Sequence, residues 1–241
     1  TDSQQAKQRQ AGDVIQLTGT VREMSGMTAL TNITQAEYCS RQPMPAATAL
    51  TLPVNAPEAF EALEGMLLSF AQPLIVNDSY GLSRYGELVL ADKRLPVATE
   101  VALPGDAARA LEAKHQLHEI TIDDASMKQN PQPVRFPTGD LSASSTVRVG
   151  DTVNKLQGYL LQTKVGYRLV VSQQPEFVAT NPRPAAPAAK KAGELRVASF
   201  NVLNFFTGEG NSPKFPTKRG ATDANELQRQ QAKMLAALAA M

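Results

Sequence analysis

The chain has 241 residues, 42% of them hydrophobic, and its 24 basic residues nearly cancel 23 acidic ones, leaving a net charge of +1. That length fits one or two domains, and the near-zero charge excludes a protein that holds nucleic acid by an overall basic excess; such binding must rest on local patches. One cysteine, Cys39, cannot form an internal disulfide and reads as a lone buried thiol rather than half of a bridge to a residue outside the chain. The sequence shows neither an export signal nor an apolar run of membrane length, so the targeting segment of a secreted parent would lie upstream of Thr1.

Residues 1–11 are polar and aperiodic, which predicts a frayed end. Gly12–Leu30 predicts paired strands, with Gly19 as a kink and Ser25-Gly26 as the hairpin turn. Four prolines in 42–57 mark a crossing segment, and Pro57–Leu63 predicts one short helix ended by Gly65. Strands are expected at Gly65–Phe70, Leu74–Asn77, Glu87–Ala91 and Glu119–Asp123. Between them Asp106–Gln116 predicts a helix capped by Asp106, with Ala107, Ala110 and Leu111 on one face. Arg148–Ser172 predicts a second strand pair, with Gly158 as kink and Gly166 as turn.

This second pair echoes the first. Gly12-Asp13, Gly19 and Gly26 recur as Gly150-Asp151, Gly158 and Gly166, each gap longer by one residue, which makes a weak internal repeat. Antiparallel strands, strand glycines and one helix in mid-domain predict a mainly β chain built on a small barrel of the oligonucleotide/oligosaccharide-binding (OB) type. Thr180–Ala192 places three prolines among alanines and reads as a semi-rigid linker. Beyond it, Leu195–Phe200 has the composition of a buried strand, and a helix begins near Asp223, where Asp223 and Glu226 have capping-box spacing. Leu227, Met234, Leu238 and Met241 form its apolar stripe. The expected division is therefore 1–57 as the C-terminal part of one OB-like module, 58–179 as a complete one, 180–192 as linker, and 193–241 as the start of a separate α/β unit.

LRVASFNVLNFF followed by KRGATDANELQRQQAKMLAALAA resembles the opening of the catalytic domain of extracellular bacterial nucleases of the ExeM/NucH type, within the DNase I-like endonuclease/exonuclease/phosphatase superfamily. LEGMLLSF, SRYGELVLA and LSASSTVRVGDTV resemble the segment that precedes that domain. The resemblance implies a secreted, metal-dependent endonuclease that hydrolyses phosphodiester bonds of DNA, with RNA as an alternative substrate. It implies Mg²⁺, with Ca²⁺ or Mn²⁺ as alternatives, to polarise the phosphate and activate water. It makes Asn201 a catalytic and metal-site residue, and it places the family's metal-binding Glu and its catalytic His and Asp beyond Met241, so the chain by itself is expected to be inactive.

Lys218, Arg219 and Arg229 match the family's stretch between strand and helix, where their charge would meet DNA phosphates or simply be solvated. His115 and His118 have a spacing compatible with metal ligation but lack a third ligand nearby, and read as surface histidines. Tyr80, Tyr85, Tyr159 and Tyr167, with Arg84 and Arg168, read either as stacking platforms for bases or as core and rim residues. Asp123-Asp124 reads as a turn. The rival to the nuclease reading is a non-enzymatic OB-fold module that binds nucleic acid or acts as a spacer.

Overall fold

A computed structural model describes residues 9–139, 141–142, 145–182, 184 and 191–240. Most of the linker (183, 185–190), the first eight residues and Met241 lie outside these described residues.

The chain is mainly β. It opens with a long antiparallel hairpin, β1 (Asp13–Met24) and β2 (Met27–Arg41). The expected turn falls at Ser25-Gly26, both with positive φ, 60° and 91°, the geometry in which a two-residue loop matches strand twist. The register slips between Thr18 and Thr20, around Gly19. A Cβ on Gly19 would stand 2.7 Å from the Thr31 carbonyl oxygen, so only glycine fits that bulge.

Nine further strands form one curled sheet, a half-barrel: β3 (Thr48–Ala49), β4 (Leu67–Phe70), β5 (Leu74–Asp78), β6 (Leu88–Ala91), β7 (Glu119–Asp123), β8 (Thr152–Asn154), β9 (Leu156–Thr163), β10 (Gly166–Val171) and β11 (Glu176–Val178). Their order is β11-β8-β5-β6-β7-β10-β9-β4-β3, antiparallel except for β10 on β7 and β3 on β4. Alternate residues face inward, so Leu68, Leu74, Val76, Leu90, Ile122, Val153, Leu156, Leu160 and Leu169 are fully buried. Each such side chain contributes roughly 1.5–3 kcal/mol by leaving water. The core also takes in Leu52 and Val54, upstream of the expected 57/58 boundary. Phe136, equally buried, closes it from the loop after β7.

Among the helices, α1 (Leu82–Tyr85) and α2 (Ala98–Val101) are single turns, and α3 (Asp106–Gln116) is the helix that the sequence predicts. Its cap differs. Gly105 is the N-cap, and the Asp106 carboxylate pairs with Arg109 at 2.5 Å instead of capping. The inward face is Ala108, Leu111 and His115 rather than Ala107, Ala110 and Leu111. Pro57–Leu63 is two 3₁₀ turns, Pro57–Ala59 and Glu61–Leu63, not one α-helix.

Two expectations on exposed or C-terminal segments are corrected. Leu195–Phe200 forms no strand; Leu195 and Val197 are 87% and 83% exposed. A strand is defined by its ladder, and no described segment pairs with this one. Cys39 is an exposed thiol, because β2 has no layer over it. In α4 (Ala224–Ala239) the apolar stripe is left largely uncovered, with Leu227 and Met234 half-buried and Leu238 about half exposed, while Ala237 is buried. The helix start follows the sequence. The Glu226 N–H donates to Asp223 Oδ1 at 2.8 Å, and the Glu226 carboxylate accepts from the Thr222 N–H at 2.7 Å. No helix among the described residues is long and apolar enough to cross a membrane.

Candidate nucleic-acid interface

A cleft of about 700 Å³ lies between the barrel and the C-terminal segment. The barrel wall is Ser83 from α1 and Asn130, Gln132 and Leu141 from the loop between β7 and β8. The loop is tied to α1 by the Asn130 N–H, which donates to the Arg84 carbonyl at 2.9 Å. The opposite wall is Leu203, Asn204 and Arg219–Ala221 with Glu226, Arg229, Gln230 and Lys233 of α4. Gln230 Nε2 donates to the Val202 carbonyl at 3.1 Å, which fixes the helix against the 202–206 stretch. Gly220 permits the close approach there, since a Cβ would stand 2.5 Å from the Asn204 carbonyl oxygen.

Three cations line this cleft, Arg219, Arg229 and Lys233, against one carboxylate, Glu226. Glu226 is engaged by Thr222 and lies 3.8 Å from Arg229. Of the basic residues expected to meet phosphate, Arg219 and Arg229 come together and Lys218 does not line the cleft. Lys233, one turn beyond Arg229, went unnoticed in the sequence; the i,i+4 spacing of two cations on one helix is the signal that would have found it.

Asn201 lies outside the cleft wall and is exposed. Its Oδ1 accepts from the Leu203 N–H at 2.8 Å, closing a turn in which Leu203 has φ 56°. Leu203 itself faces the cleft.

The tyrosines separate into two kinds. Tyr167 is structural: its hydroxyl donates to Glu61 at 2.9 Å and its ring lies 5.2 Å from Phe60. Burial and the Glu61 hydrogen bond push its pKa up to about 12. Tyr159 is half-buried in β9, and Arg168 is committed to Glu87 at 3.0 Å. Tyr80 and Tyr85 differ. Tyr80 precedes α1 and is 86% exposed, and Tyr85 is the last residue of α1, with the Arg84 guanidinium over its ring at 5.2 Å.

Elsewhere, His115 is buried and His118 is only part-exposed, its Nδ1 2.7 Å from Asp92 Oδ1, so the two do not share a surface face. Asp123 and Asp124 make the expected turn by accepting from the Ala125 and Ser126 N–H groups. Burial raises the Asp123 carboxyl pKa, with Glu87 and Asp124 adding to it. Burial raises that of Glu119 too, with Glu112 and Asp78 adding. No three His, Cys, Asp or Glu side chains converge as metal ligands among the described residues. With the Asn201 amide oxygen turned to its own backbone, these residues do not fit a Mg²⁺ site by themselves.

A family model for a domain of unknown function (DUF8508) matches residues 36–182, more than half of the chain. The chain belongs to the DUF8508 family. The DUF8508 match spans β3 to β11 and contributes Ser83 and Asn130 to the cleft wall, whereas Asn201, Arg219, Arg229 and Lys233 follow it. No curated protein and no solved structure matches the chain.

Proposed function

We propose that the chain is the lead-in portion of a secreted, metal-dependent endonuclease acting on DNA, and that its own task is to hold the polynucleotide rather than to cut it. One observation carries the binding half of this reading: Arg219, Arg229 and Lys233 converge on one cleft against a single carboxylate, Glu226. The endonuclease half rests on the sequence resemblance around Asn201. No catalytic step through a metal is derived from these residues.

The physical division of labour is simple. Guanidinium and ammonium groups meet backbone phosphates and displace counterions, a sequence-independent term that weakens with salt. Exposed aromatic rings on the barrel, Tyr80 above all, give unpaired bases a face to stack on. With a net charge of only +1, affinity rests on this one patch.

Fluorescence anisotropy with labelled oligo-dT at low salt tests the proposal. Binding is expected, with a steep loss as salt rises, and Arg219→Glu with Arg229→Glu should abolish it. Absence of binding at low salt, or undiminished affinity in the double variant, would overturn it.

A further inference from the structure

The two walls of the cleft differ in kind. The wall built by α4 and residues 203–221 carries Arg219, Arg229 and Lys233, with Glu226 among them. The barrel wall holds no Asp, Glu, Lys or Arg among its described lining residues. It offers neutral groups instead, chiefly the hydroxyl of Ser83 and the carboxamides of Asn130 and Gln132.

Asn130 and Gln132 are exposed, and neither side chain is hydrogen-bonded to another described residue. Their backbone, by contrast, is anchored. The Asn130 N–H donates to the Arg84 carbonyl at 2.9 Å, Asn130 has φ 52°, and Pro131 and Val134 beside it are buried. Asn tolerates that left-handed geometry better than most residues. Two carboxamides are thus held out from a fixed loop into the cleft, with donors and acceptors unused.

We propose that this wall reads bases. The cleft takes one strand of DNA with its phosphates on the α4 wall, and Asn130 and Gln132 hydrogen-bond the edges of unpaired bases, adenine above all. The proposal rests on the DNA-holding role given above and adds to it a strandedness and a base preference. The asymmetry of charge selects a single strand. A duplex carries phosphates along both outer sides and pairs its bases inside, so enclosing it would set phosphates against the uncharged wall too. A single strand has its backbone on one side and free base edges on the other, which matches the two walls. The amides select adenine. A carboxamide presents a donor and an acceptor side by side, and adenine offers the complementary pair on two edges, N6–H₂ with N7 and N6–H₂ with N1. Leu141 and Leu203, from opposite walls, add apolar surface for the base faces.

Fluorescence anisotropy of the full chain at low salt, with four labelled probes, tests this. The probes are oligo-dT, oligo-dT carrying two adjacent adenines at its centre, that strand annealed to its complement, and an abasic oligomer of equal length. The adenine-bearing strand should bind about tenfold more tightly than oligo-dT, the size of one good amide–base pair. The duplex and the abasic oligomer should bind more weakly than either. Asn130→Gly, which still permits a positive φ, combined with Gln132→Ala should remove the adenine preference, and Gln132→Ala alone should diminish it. A preference that survives in the double variant, or equal binding of the abasic and adenine-bearing strands, would overturn the base-reading wall and leave a phosphate-holding cleft standing. Duplex bound as tightly as single strand would overturn the strandedness. Absence of binding by every probe would overturn the DNA-holding role and the base preference together.

Discussion

Asp151 accepts a hydrogen bond from the Asn181 N–H at 3.2 Å as well as from Arg148, so one buried carboxylate ties the loop before β8 to the segment leaving β11. Removing it would orphan two backbone donors at once. Asp151→Ala should lower stability by about 2–3 kcal/mol, within the range for bonds to a charged group, and Asp151→Asn by less because one acceptor remains. The repeat supplies the control: Asp13→Ala, at an exposed hairpin, should cost less than about 1 kcal/mol. Denaturant titration of the three variants measures this.

Gly158 and Gly19 make the same close approach to a neighbouring carbonyl, at 2.5 and 2.7 Å for an added Cβ. Gly158→Ala forces β9 away from β10 in the middle of the core, and about 2–4 kcal/mol of lost stability is expected. Gly19→Ala distorts a hairpin outside that core, so the main melting transition should hardly move. Equal losses in both would show that the hairpin and barrel unfold as one unit.

Tyr167 gives an alkaline signature. Its folded pKa of about 12 stands above the ordinary value of 10.0, so its contribution is complete below pH 10, where the phenol is protonated in both states. That contribution is lost as pH rises from about 10 to about 12. Spectrophotometric titration should show one late-titrating phenol, and Tyr167→Phe should remove both it and that part of the alkaline destabilisation.

Under the proposed division of labour, in which the chain holds DNA without cutting it, incubation with plasmid and Mg²⁺ should leave the DNA intact. Cleavage that survives purification and vanishes in Asn201→Ala would refute this. Asn201→Ala should change the melting of the barrel by less than about 0.5 kcal/mol, because the turn it closes is exposed.

The parts of the fold that could be read in the sequence are those with local causes. Glu119–Asp123 alternates inward and outward and forms β7 between those residues; the Ser25-Gly26 turn and the Asp223/Glu226 start follow from backbone and capping chemistry within a few residues. Leu195–Phe200 misled because strand-like composition makes no strand without a partner. Asp106 misled because Gly105, at φ 124°, takes the cap position instead. The cleft was half legible. Arg219 and Arg229 stood out by charge, but Ser83 and Asn130 face them from more than 70 residues earlier in the chain, a meeting that only the tertiary fold creates.

The edges of the nine-stranded sheet determine how the barrel would respond to force. The chain enters through β3, with two ladder positions on β4, and leaves through β11, with three on β8, at opposite margins of the sheet. A pull between the two ends therefore loads the shortest ladders first and peels them singly, before reaching the long β9–β10 pairing. Held between two anchored neighbours, the barrel would act as a shock absorber, paying out a little chain at each margin while its core stays shut.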